Sequence, residues 1–142
     1  MAETFPQKIT TFLKEHHVIT IATCEGSQPW CFNAFYVFDE ETQSFIFTSH
    51  EDTRHVQEAQ KNQTVAGSVV LETSNVAKVQ GLQFTGNMIL CEEEMEKKAN
   101  KLYIKRFPFA TLTPKTLWRI EISTAKMTDN TLGFGKKLTW DR

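Results

Sequence analysis

The segment Thr48-Ser49-His50-Glu51-Asp52-Thr53-Arg54-His55 has the clearest chemical potential in the chain. Its first two hydroxyls end an apolar run, and a helix is predicted to start at Asp52 or Thr53. Arg54 then falls in the first turn, where the positive end of a helix dipole disfavours a cation. An anion resolves that conflict. Backbone N–H groups at a helix start, neighbouring hydroxyls and an arginine fork together make a phosphate cradle. The plainer reading is a solvated Arg54 on an exposed turn, paired with Asp52 or Glu51. The residues alone leave both readings open.

A second concentration lies between Trp30 and Phe38, where Trp30, Phe32, Phe35, Tyr36 and Phe38 place aromatic side chains on both faces of one strand. One face must fill the core. The other calls for a flat aromatic ligand or a dimer partner, because exposed apolar patches mark interfaces; a covering helix would account for it equally. Asn33 is the odd polar residue here, suited either to a ligand hydrogen bond or to a neighbouring backbone group.

Other constellations do not complete a site. Gly133-Phe134-Gly135-Lys136-Lys137 ends like a P-loop, but Asn130 stands where the first glycine belongs and Lys137 where Ser or Thr would ligate magnesium. His16, His17, His50 and His55 lack companion ligands at metal spacing, and Cys24, Cys31 and Cys91 form no CxxC pair. No metal site is expected. No serine or cysteine triad has local support, so the catalytic residues stay unassigned and a hydrolase reading finds no nucleophile.

These residues need a scaffold. Thr4-Phe5-Pro6-Gln7 has the form of a capping box, and Phe5, Ile9, Phe12 and Leu13 then recur at helical spacing to His16. Val18–Cys24 and Trp30–Phe38 read as a hairpin turning at Gly26-Ser27-Gln28-Pro29. Phe45–Thr48 is a short strand and Glu51–Lys61 a polar helix with Val56 and Ala59 on one face. Thr64–Leu71 is a fourth strand. Val76–Cys91 is a long fifth, interrupted by Gly81 and Gly86 where a bulge or bend is expected. Glu92–Arg106 is a helix whose acids lead and whose bases trail, matching its dipole. Leu117–Thr128 alternates as a sixth strand, and the turn-rich stretch from Asp129 to Trp140 is expected to be ordered. Six strands with few helices and no regular strand-helix alternation favour a mainly β (α+β) fold, a six-stranded antiparallel barrel with peripheral helices.

Composition bounds the partners. The 142 residues, expected to form a single domain over 1–142, carry 16 Lys+Arg against 17 Asp+Glu, a net charge of -1. That balance provides no summed field to draw a phosphate backbone, so a nucleic-acid partner is not expected. No run approaches the roughly 20 apolar residues of a membrane helix. Three cysteines are an odd number, and Met1-Ala2-Glu3-Thr4 lacks the basic opening of a secretory signal, which makes a cytoplasmic location the expectation.

The order of elements, Phe47-Thr48-Ser49, Thr53-Arg54-His55 at a helix start and the Gly81/Gly86 strand resemble the FMN-binding split barrels related to pyridoxamine 5'-phosphate oxidase. Three further motifs are similar to the bacterial YhbP-type subgroup: Trp30-Cys31-Phe32-Asn33-Ala34-Phe35-Tyr36, Arg106-Phe107-Pro108 and the run Thr128-Asp129-Asn130-Thr131-Leu132-Gly133-Phe134-Gly135-Lys136-Lys137. The resemblance implies a homodimer with two flavin sites at the subunit interface. It puts Thr48, Ser49, Thr53 and Arg54 near the FMN phosphate. Asn33, Ala34 and Phe35 would offer edge and backbone contacts to the isoalloxazine, and Gln83 would reach the flavin from the partner subunit. Lys136 and Trp140 would lie near the cofactor or the substrate entrance. The oxidase's C-terminal substrate-binding pattern is missing, so oxidation of pyridoxamine phosphate is not implied. An FMN-dependent oxidoreductase of unknown substrate is one expectation, with hydride chemistry at flavin N5. A non-catalytic dimer that stores or senses flavin, haem or another flat ligand is the other, and a dimer needing no ligand a third.

Overall fold

The computed structural model describes residues 4–142; the Met1–Glu3 opening lies outside them. Helix α1 (Gln7–Glu15) buries Ile9, Thr10, Phe12 and Leu13 along one face. Its start differs from the expected capping box. Pro6 is the N-cap and makes no side-chain cap bond. Its carbonyl accepts the first helical bonds from Ile9 (3.0 Å) and Thr10 (3.2 Å), while the Gln7 amide turns outward to the Thr11 hydroxyl at 3.5 Å. Phe5 packs its ring on Phe38 and edge-on against Trp140, which fixes the entry of the chain into the helix.

Strands β1 (Val18–Glu25) and β2 (Gln28–Asp39) form the expected hairpin, turning through Gly26 at a φ of 59°. Then come β3 (Ser44–Thr48), helix α2 (Arg54–Lys61), β4 (Thr64–Val70), β5 (Gln80–Leu90), helix α3 (Glu93–Arg106) and β6 (Leu117–Asp129). The sheet runs β3-β2-β1-β4-β5-β6, and an antiparallel β3–β6 pairing closes these six strands into a barrel. A seventh strand, β7 (Lys137–Asp141), adds to the outside of β6. It was not among the expected strands because it is short and follows a glycine-rich turn. The long β6 serves two partners in turn: Leu117–Glu121 close the barrel with β3, and Thr124–Thr128 carry β7.

The fifth strand is shorter than expected, because Val76–Lys78 form a 3-10 turn capped by the Asn75 side chain. Its bend falls between Thr85 and Gly86, where the register with β6 slips. Gly86 is required there by space: a Cβ would sit 2.4 Å from the Glu121 carbonyl oxygen.

Tyr36, Phe45, Phe47, Ile19, Ile21, Leu82, Ile120 and Ile122 fill the barrel and are essentially inaccessible. Phe45 is the hub, within 4.8–5.8 Å of Phe84, Tyr36 and Phe38 between ring centroids. Helix α3 covers a smaller, separate core of Ile46, Cys91, Ala99, Tyr103, Phe107 and Leu117. Arg106 at its end joins the two. It donates to the carbonyls of Tyr36 (3.0 Å), Lys14 (3.0 Å) and His16. No described helix is long and apolar enough to cross a membrane.

Candidate functional site

Strand β2 sets the site because its two ends are treated differently. Its pairing with β3 runs from Asp39 back only to Tyr36, whereas its pairing with β1 continues to Gln28. From Trp30 to Phe35 the edge of β2 that faces away from β1 therefore has no strand partner among the described residues. An open edge presents N–H and C=O groups that a ligand or second chain can take up. The chain opens this gap by leaving β3 at Thr48 and turning through Ser49 into α2.

Of the residues expected at a phosphate, Ser49, Thr53 and Arg54 lie beside that gap, and Thr48 ends β3 opposite Leu117. Thr53 is the N-cap of α2; its hydroxyl donates to the His50 carbonyl (2.8 Å) and accepts from the Val56 N–H (3.4 Å). Ser49 is fixed through its backbone, its N–H donating to Thr116 (3.2 Å) and its carbonyl accepting from the Trp118 indole (3.0 Å). Arg54 lies over the Trp30 ring, 4.0 Å from the centroid. Its Nε donates to Glu58 at 2.8 Å, one helical turn along. So the partner of Arg54 is neither Asp52 nor Glu51. Glu58 is buried and also accepts from the Thr23 hydroxyl at 2.8 Å. The Arg54 bond, followed by the Thr23 bond, holds the Glu58 carboxyl below the ordinary range.

Sequence reasoning assigned no individual site role to Glu58, His55, Phe32, Thr23 or Trp30. Glu58 carried a readable signal, its i+4 spacing from Arg54. His55 is held by Ser49, whose Oγ meets its Nε2. Its ring also stacks on Phe32, centroid to centroid 3.6 Å at an interplanar angle of 8°. Burial pushes its pKa down, and Glu58 partly opposes that. Phe32 had looked like one aromatic among many, but it is the platform that orients the imidazole.

The remaining expected residues lie elsewhere. Asn33 points to the outer face of the sheet, where its Oδ1 accepts from Thr20 at 2.7 Å. The strand registers continue that row through Ser68, Gln83, Lys126 and Thr139. Gln83 is thus on the same face as Asn33 but three strand spacings away, about 14 Å. Phe35 is 51% exposed on this face, with Val18 at 49% beside it in the hairpin. Its inner edge meets Phe107 at 5.5 Å, so α3 covers the outer face of β2 only in part. Ala34 is half-buried. Lys136 is exposed in the loop before β7, whose Gly133 and Gly135 both have positive φ. Trp140 is buried, its ring in the core against Phe5. One cradle, one open strand edge and one exposed outer face therefore share β2.

A six-stranded antiparallel split barrel, opened beside β2 by an arginine-bearing helix start, defines the class. The chain belongs to the pyridoxamine 5'-phosphate oxidase family, whose model matches residues 5–129. Within it, the UPF0306 protein YhbP of Salmonella arizonae is 40% identical over 134 residues, covering 94% of this chain and 91% of the relative. Among solved structures, the haem storage protein HutZ of Vibrio cholerae superposes with a TM-score of 0.69 at 17% identity, covering 85% of this chain and 92% of that one. An FAD-binding protein of Mesorhizobium loti superposes at 0.68 with 12% identity, covering 87% and 93%. At such identities these two establish the shared fold alone.

Proposed function

We propose that the protein binds FMN between two copies of the chain and acts as an FMN-dependent oxidoreductase. The observation that carries this reading is the open Trp30–Phe35 edge of β2 running beside the Arg54 cradle. A flat ring system would be held along the edge by the backbone of Asn33, Ala34 and Phe35, and its phosphate tail by Thr48, Ser49, Thr53 and Arg54. The residues fit that group. Among the described residues, Arg54 engages only its Nε, so its two Nη groups stay available for an anion.

The exposed face around Phe35 and Val18 suits a second copy, which would bring its own Gln83 toward the flavin from across the interface. Lys136, on its exposed loop, would approach the substrate entrance, with Trp140 anchoring the following strand in the core. When bound, flavin supplies hydride transfer at N5. The chain's own part is to orient the ring along β2, hold the phosphate and exclude water. A cytoplasmic setting accords with free thiols at Cys24, Cys31 and Cys91.

The Glu58–Arg54 pair favours a second reading, because a carboxylate already balances the cation. A non-catalytic dimer that stores or senses haem or another flat ligand would then use the same edge. The absorption spectrum of the purified protein and titration with FMN test the choice. A two-band flavin spectrum supports the oxidoreductase, and a Soret band supports the second reading. A colourless protein that takes up no FMN overturns the flavin assignment. Where FMN binds, Arg54→Ala should weaken it by about 1.5–3 kcal/mol, the range for a hydrogen bond to a charged group. Reduction of the bound flavin by NADH or NADPH separates an enzyme from a carrier.

A further inference from the structure

His55 is the half-buried group at the cradle whose charge is not fixed by its chemistry, the other imidazole nearby, His50, being exposed. Its place is set tightly: the ring is clamped flat on Phe32 and Nε2 is turned onto the Ser49 hydroxyl. In the neutral imidazole this contact uses one proton for two groups. Where Ser49 donates to Nε2, its hydroxyl proton is spent on the ring; where Nε2–H donates to Ser49, the hydroxyl can reach an incoming anion but the neutral ring carries no charge to hold it. A proton added to the imidazole changes the count. Nε2–H then donates to Ser49 Oγ, and the serine hydroxyl proton is released to point outward, beside the unengaged Nη groups of Arg54.

We infer that ligand capture at this cradle is proton-coupled: a phosphate monoester dianion draws one proton from solvent onto the His55 imidazole, and the site thereby selects a phosphate tail over an uncharged one. This deepens the flavin reading and rests on it for the identity of the ring system, not for the identity of the tail.

The surroundings support the coupling. Helix α2 packs on β1 and β2, which present Thr23, Trp30 and Phe32 beneath its first turns, none of them charged. On α2 itself, Arg54 and Glu58 are ion-paired to each other. Lys61 is held by Glu25 at 2.8 Å at the far end of the helix. The turn before the helix carries His50, Glu51 and Asp52, all exposed. The Glu58 carboxylate favours a charged ring, but it is already engaged by Arg54 and Thr23 and burial outweighs it, so His55 stays below its ordinary value. A dianion adds a second, stronger countercharge and raises the imidazole's proton affinity on binding. Proton uptake and anion binding then reinforce each other.

The test follows the imidazole and the ligand separately. NMR titration of His55 in the full chain, with and without inorganic phosphate, should show the His55 midpoint moving to higher pH when phosphate is present. An unmoved midpoint overturns the inference whatever flavin does. Calorimetric titration with FMN between pH 7 and 8.5, above the second phosphate pKa of about 6, in two buffers of different ionisation heat, should show proton uptake. Affinity should then fall by up to about tenfold per pH unit. Riboflavin, which lacks the phosphate, should bind without proton uptake. FMN binding that is flat with pH overturns the inference and leaves the flavin assignment standing. A His55 response to phosphate without any FMN binding does the reverse. His55→Gln should remove the pH dependence and weaken binding. His55→Lys should remove the dependence but restore affinity at pH 8.5, because its charge no longer titrates there; loss of affinity in both variants alike would reduce His55 to a structural role.

Discussion

The two faces of β2 share its aromatic residues unequally, Trp30, Phe32, Tyr36 and Phe38 on one and Phe35 alone on the other, and put them to opposite use. The inward set, Tyr36 and Phe38 with Phe32 at the rim, is locked against Phe45, Phe47 and Phe5. The outward set, Cys31, Asn33 and Phe35, meets only its neighbours in the sheet and the flank of Phe107. The difference arises from what each face opposes: a closed barrel on one side, and on the other a helix that reaches only the end of the strand. One strand thus fills the core with one face and leaves the other largely exposed.

The largest effect that would sharpen this contrast is on the inner face. Phe38→Ala should cost roughly 3–5 kcal/mol by the loss of a buried aromatic and the cavity left behind, read as a lower midpoint in urea unfolding. A loss below about 1 kcal/mol would mean that the inner face is far less tightly packed than its burial indicates.

The next concerns the carboxylate at the edge of the cradle. The pKa of Glu58 is lowered in the fold, so its contribution to stability is complete above the unfolded value near 4.5 and disappears as pH falls through the folded value. Urea midpoints of the wild type and Glu58→Gln should therefore differ at pH 6 and converge toward pH 3. Parallel curves would show that Arg54 and Thr23 do not favour the charged form, and that the cradle's cation is free of its internal partner.

The smallest stability change is expected on the outer face. Phe35→Ser should alter unfolding by no more than about 1 kcal/mol, while shifting sedimentation toward the monomer. A destabilisation as large as that of Phe38→Ala would erase the distinction between the faces.

Much of this was legible in the chain, for identifiable reasons. The alternation of Leu117–Thr128 and the glycine break at Gly86 specify strands and a bend through local sterics. The Thr53 cap needs only residues three apart. What escaped was set by contacts between distant residues. Phe5, which fixes the entry of α1 where a Thr4–Gln7 box was expected, packs on Trp140, 135 positions away in sequence. β7 exists because half of β6 lies beyond the barrel closure, which no local window reveals. The Ser49–His55 contact depends on where Phe32 places an imidazole from another element. Glu58 alone was within reach, through its helical spacing from Arg54.

The Arg106 clamp also bears on how the molecule is made. Its bond to the His16 carbonyl spans 90 residues, so this one fastening of α1 and the start of the hairpin waits until the third helix has left the ribosome. At typical synthesis rates of about 5–20 residues per second, that interval is roughly 5–18 s. Until then α1 is held to β2 by the Tyr36 hydroxyl on the Leu13 carbonyl and by Phe5 on Phe38, and the Arg106 clamp is the last of the three fastenings to be translated.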